Sequence, residues 1–132
     1  MKIVVGYTPT REGQAALDHA KATALALGGS LVVVNTGKDG NYASPLFASQ
    51  PDLDALHAEL EQAGVEHEVR QPVDGRPAAE AILATVAEVG ADLLVIGLRR
   101  RSPVGKLIFG STAQQLLLDA GCPVTAVKPA AQ

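Results

Sequence analysis

The chain has 132 residues, 47 per cent of them hydrophobic, which is enough for one compact core and too little for two domains of ordinary size. Fourteen acidic against eleven basic residues give a formal charge of −3, which excludes a surface built as a whole for nucleic acid. The single cysteine, Cys122, excludes an intrachain disulfide and a cysteine-rich metal site, and suits a reducing compartment.

Lys2 to Tyr7 is a short apolar run after one lysine, too brief for a signal-peptide core, and reads as a first strand. Thr10 to Ala26 places Ala16, Leu17, Ala20, Ala24 and Leu25 at helical spacing, and Gly28-Gly29 stops the helix. Leu31 to Thr36 is nearly continuous in apolar character, as a central strand covered on both faces requires. The segment from Gly37 to Gln50 shows no periodicity and is expected to be a mobile lid or a contact surface.

A second helix spans Pro51 to Ala63, with Leu53, Leu56 and Leu60 as its buried row and Asp52, Asp54 and Glu59 outside. Val65 to Gln71 is a mixed strand that belongs near a sheet edge. The third helix starts near Pro77, turns Ala79, Ile82, Leu83 and Val86 inward, and ends at Gly90. Asp92 to Gly97 is a second central strand. After a basic loop, Gly110 opens a fourth helix with Ala113, Leu116 and Leu117 buried, and Pro123 to Lys128 forms the last strand. Strands alternating with helices at this spacing imply an α/β fold with a single open, mostly parallel five-stranded sheet and helices on both faces. One domain covering residues 1–132 is expected, and no apolar run approaches the roughly 20 residues that span a bilayer. No membrane association and a cytoplasmic location are therefore expected.

The chemistry concentrates between Gly97 and Thr112. A strand ends at Gly97, Arg99, Arg100 and Arg101 follows closely, and Gly110-Ser111-Thr112 begins a helix. Amides at a helix start lack intrahelical partners, and the aligned peptide dipoles place about half a positive charge there, so a phosphate is attracted. The plainer alternatives are a solvated arginine loop and a simple cap by Ser111 or Thr112. The run from Gly105 to Thr112 is not a P-loop, because Ser111 stands where that motif needs lysine. Gly6-Tyr7-Thr8-Pro9 likewise lacks the further glycines of a dinucleotide fingerprint.

His19, His57 and His67 show no pair at metal-ligand spacing, so no metal site is expected. Cys122 reads as a buried structural thiol, since no base stands near it in sequence. Asp52 and Asp54 complement a helix dipole, and Glu59 and Glu61 read as solvated charges.

Gly97, two residues, Arg100, nine residues, then Gly110-Ser111 resembles the signature of the universal stress protein family, Gly-x2-Gly-x9-Gly-[Ser/Thr]. The opening KIVVGYTPTREGQAALDHA, the segment GADLLVIG, the turn Gly75-Arg76-Pro77-Ala78 and the ending Cys122-Pro123-Val124 are similar to that family too. The resemblance implies a doubly wound, adenine-nucleotide alpha-hydrolase-like fold that binds ATP, AMP or a related adenine nucleotide at the carboxyl ends of its strands and acts in stress response. Tyr7, Thr8, Pro9 and Thr36 would flank adenine and ribose, while Gly97, Arg99, Arg100, Gly110, Ser111 and Thr112 would meet the phosphates. It also implies a homodimer formed through Val124 to Lys128.

Two positions depart from the pattern. Arg100 replaces the second signature glycine, which costs about 1–3 kcal/mol if positive φ is needed there, although its guanidinium can bind phosphate through two hydrogen bonds. Thr8 replaces the aspartate usual in nucleotide-binding members and offers ribose only a neutral hydroxyl. The alternative expectation is therefore a dimeric stress-response or scaffold protein that binds no nucleotide. An ATP-hydrolysing enzyme has least support, since no water-activating base or magnesium-holding aspartate is identifiable.

Overall fold

A computed structural model describes residues 1–37, 44–99 and 110–129. Nine elements follow in chain order: β1 (Lys2–Gly6), α1 (Arg11–Leu27), β2 (Ser30–Val34), α2 (Gln50–Gln62), β3 (His67–Arg70), α3 (Ala78–Val89), β4 (Leu93–Gly97), α4 (Ser111–Asp119) and β5 (Val124–Val127). The strands form one sheet in the order β3-β2-β1-β4-β5, and every pair in it is parallel.

Period-two alternation along each strand divides the core into two layers. Ile3, Val5, Leu31, Val33 and Val95 pack with Leu17 of α1 and Leu56 and Leu60 of α2 on one face. On the other face, Val4, Val32, Leu94 and Ile96 meet Ile82 and Val86 of α3 and Leu116 of α4. Both layers are closed, which is why β1, β2 and β4 are apolar along most of their length. β3 takes the edge position that its mixed sequence suggests.

Local chemistry sets the helix ends. Thr10 caps α1 by accepting the Gly13 N–H at 3.1 Å, and Gly28, at φ 71°, closes its other end. Ser49 and Asp52 form a reciprocal capping box at the start of α2. Pro77 stands immediately before α3 rather than inside its first turn.

Two inward assignments are corrected. Leu25 is 55 per cent exposed: at about 100° per residue it lies roughly 80° beyond Leu17, outside the buried arc of Ala16, Ala20 and Ala24. Leu117 is 40 per cent exposed, about 100° around α4 from the buried Leu116. The third strand is also shorter than its sequence suggests. Val65 is buried before it, and Gln71 turns its side chain to other work.

Candidate functional site: a cleft at the sheet switch point

β1 lies between β2 and β4, so the chain leaves the sheet centre in opposite directions from the adjacent carboxyl ends of β1 and β4. Such a switch point leaves a crevice beyond the strand ends. Here it holds a cleft of about 380 Å³. Val34, Ile82, Ile96, Leu98 and Leu116 supply its apolar surface, and Arg99 and Glu12 are the charged residues among the described lining.

Two glycines allow α1 to sit close to these strand ends. A Cβ on Gly97 would collide with the Glu12 carbonyl oxygen, and one on Gly13 would collide with the Thr8 carbonyl. Both positions are therefore fixed by packing, whatever enters the cleft. Gly6 is less confined; its added Cβ would stand 3.3 Å from Ile82 Cδ1.

Gly110 differs. It is the N-cap of α4, with φ −66° and no side-chain cap hydrogen bond, and a Cβ there would meet nothing within 4 Å among the described residues. The first intrahelical bond runs from the Gln114 N–H to the Gly110 carbonyl at 3.0 Å, so the amides of Ser111, Thr112 and Ala113 precede the helical ladder. Ser111 and Thr112 line the cleft and do not cap the helix. The arrangement is a helix mouth whose donors and dipole favour an anion.

The structure brings together most of the residues singled out from the sequence. Tyr7, Thr8, Thr36, Gly97, Arg99, Gly110, Ser111 and Thr112 all line the cleft. Pro9 is half-buried but does not line it, and Arg100 and Arg101 lie outside the described residues. Tyr7 also belongs to the α1–α2 hydrophobic cluster, and its main chain bonds Val34 and Asn35. Burial, followed by the nearby charges of Asp52 and Glu59, pushes its phenol above the usual range. The Thr8 Oγ1 lies 2.8 Å from Thr10 Oγ1. A hydroxyl has one donor and two acceptor positions, so this single bond leaves Thr8 with capacity for a guest.

Several lining residues escaped the sequence reading: Glu12, Gly13, Leu46, Ala78 and Ile82 among them. They come from α1, α3 and the segment after β2, and only the packing of those elements brings them to the strand ends. Tyr42 lies outside the described residues, whereas Ser44 to Ala48 runs beside the cleft and is tied down. Leu46 O and Ala48 N both bond to the Asn35 amide.

Away from the cleft, folding unites two histidines that their sequence spacing does not connect. His57 Nδ1 lies 2.9 Å from His67 Nε2, and His67 Nδ1 lies 2.9 Å from the Val65 carbonyl. A carbonyl only accepts, so His67 donates through Nδ1; with neutral rings, His57 must then donate through its own Nδ1. The ring centroids are 5.1 Å apart, as expected for nearly head-on nitrogens sharing a proton. Cys122 is half-buried rather than fully buried, and burial followed by Asp92 pushes its thiol up, away from nucleophilic use. Glu59 is half-buried and not a freely solvated charge, since it accepts from Gln14 and pairs with Lys21 at 3.2 Å.

The model of the universal stress protein family matches residues 1–128. The chain belongs to the universal stress protein family. A universal stress protein of Mycolicibacterium smegmatis is 43 per cent identical over 127 residues, covering 96 per cent of this chain and 97 per cent of the relative. The structure of a universal stress protein from Archaeoglobus fulgidus superposes with a TM-score of 0.79 at 31 per cent identity, over 97 per cent of this chain and 98 per cent of that one. A further universal stress protein structure from Archaeoglobus fulgidus, solved in complex with dAMP, has a TM-score of 0.74 and 25 per cent identity, over 97 and 98 per cent of the two chains. Among the described residues of this universal stress protein, no helix is long and apolar enough to cross a membrane.

Proposed function

We propose that this universal stress protein holds ATP or a related adenine nucleotide in the switch-point cleft, and that occupancy changes its contacts with partners in a stress response. The observation that carries the reading is the mouth of α4 at Gly110, which no side chain caps among the described residues, opening into a cleft that Gly97 and Arg99 line from the opposite strand. The phosphates lie against the amides of Ser111, Thr112 and Ala113, with Arg99 and Arg100 as counter-charges. Base and ribose occupy the end near Tyr7, Thr8 and Thr36, Pro9 standing behind them. The dAMP complex of the Archaeoglobus fulgidus relative supports a purine nucleotide as the class of guest.

Thr8 gives a specific ground for the second reading, a dimeric stress-response or scaffold protein that binds no nucleotide, because it offers ribose a neutral hydroxyl where nucleotide-binding members usually carry an aspartate. Thermal unfolding separates the two. A nucleotide at about 100 times its dissociation constant adds roughly 2.7 kcal/mol of stability, so the first reading requires a midpoint that rises with millimolar nucleotide and the second a midpoint that does not move. In either reading β5 is the sheet edge through which two copies pair, and a lone unpaired cysteine, Cys122, suits a reducing compartment such as the cytoplasm.

A further inference from the structure

We infer that the paired side-chain amides of Asn35 and Gln71, neither of them lining the cleft, position its base-facing wall and thereby set affinity for the nucleobase separately from affinity for the phosphates. This rests on the nucleotide reading above.

Asn35 follows the apolar run of β2 and is fully buried, at 0 per cent exposure. A buried amide with no partners would be costly, and this one has four. Its Nδ2 donates to the Tyr7 carbonyl and to the Leu46 carbonyl, both at 2.9 Å. Its Oδ1 accepts from the Ala48 N–H at 2.8 Å and from Gln71 Nε2 at 2.9 Å. Gln71 Nε2 also reaches the Ala48 carbonyl at 3.0 Å, so both main-chain groups of Ala48 are held by the pair. Two carbonyls on one side and two N–H groups on the other leave a single orientation for the Asn35 amide.

The consequence reaches the cleft through Leu46. That residue is part of the lining, yet the segment carrying it has no strand or helix of its own from Ser44 to Ala48. The bonds to Asn35 and Gln71 tie it to the end of the sheet. Leu46, Val34 and Thr36 stand on the β2 side of the cleft, whereas the α4 mouth provides the anion-binding amides. An apolar wall suits a base and contributes nothing to a phosphate. Loosening this wall weakens the contact with the base and leaves the phosphate contact intact.

The test uses the full chain and two variants, Gln71→Met and Asn35→Asp, titrated with adenosine and with AMP. Gln71→Met removes two of the bonds at the surface end of the network. Asn35→Asp keeps the size of the side chain but sets an acceptor oxygen against the Tyr7 and Leu46 carbonyls. Loss of one such buried bond weakens adenosine and AMP together by about tenfold, while the ratio of their dissociation constants, which reads the phosphate alone, stays within about twofold of wild type. If Asn35→Asp fails to fold, Gln71→Met carries the test. Wild-type affinity for adenosine in a folded Gln71→Met variant overturns the inference, and so does a change in the ratio as large as the change in adenosine affinity. Wild-type protein that binds neither compound brings down the nucleotide reading and this inference with it, whereas binding that no variant alters brings down the inference alone.

Discussion

Gly97, the last residue of β4, lies against the Glu12 carbonyl so closely that no side chain fits between them. This contact seats the first turn of α1 on the centre of the sheet and fixes one side of the cleft. Gly110, across the cleft, has open space where a Cβ would stand among the described residues. The two glycines of the family signature thus answer to different constraints, one to packing and the other to access.

Substitution separates these roles. Gly97→Ala overpacks a backbone contact and is expected to cost about 1–3 kcal/mol of stability with or without nucleotide. Gly110→Val places its side chain in the helix mouth; it is expected to cost no more than about 1 kcal/mol, as a poorer N-cap, while abolishing nucleotide binding. Urea unfolding of both variants, with and without AMP, checks the contrast.

Thr8 is the second departure that can be reversed. A carboxylate makes hydrogen bonds about 1 kcal/mol stronger than a hydroxyl, so Thr8→Asp is expected to tighten AMP binding by about fivefold. The Thr10 hydroxyl, 2.8 Å from Thr8 Oγ1, can donate to the new carboxylate and hold it in place. Calorimetric titration of this variant beside wild type reads the difference directly.

Tyr7 gives a pH dependence with a defined sign. Burial, Asp52 and Glu59 raise its phenol in the folded protein, so the folded state holds that proton more tightly than the unfolded chain does. The resulting stability is fully present below about pH 10 and is lost as pH rises through the raised folded value. In Tyr7→Phe the alkaline decline is expected to be shallower, which unfolding midpoints measured from neutral to strongly alkaline pH will show.

β5 pairs with β4 on one side and has no strand on the other among the described residues. The carbonyls of Pro123 and Val127 bond the β4 side, so the alternate residues Val124 and Ala126 present their main chains outward. A dimer is expected at micromolar concentration by light scattering. Ala126→Pro, which removes an outward donor, is expected to give a monomer; a monomeric wild type would contradict edge pairing.

Much of this architecture is legible in the sequence because strand and helix periodicities report burial directly. The runs of β1, β2 and β4 are apolar on both faces, and both faces are covered. Leu25 shows where the reading fails, since spacing alone does not say how wide an arc the sheet will bury. At the cleft, Gly97, Gly110 and Ser111 are visible through one local spacing. Glu12, Leu46 and Ile82 are not, because their nearness depends on how α1, α3 and the segment after β2 pack. Asn35 left a faint signal, a polar residue directly after four apolar ones, whose meaning required its four partners. His57 and His67 are joined by an α2–β3 contact that no ligand-spacing rule describes.

In the proposed function, the mouth of α4 receives an anionic nucleotide. Calorimetric titration of wild type and Gly110→Val with ATP and AMP tests it most directly. Saturable heat with wild type and none with Gly110→Val is the predicted result. Equal heats for the two proteins, or none for wild type at millimolar nucleotide, would contradict it.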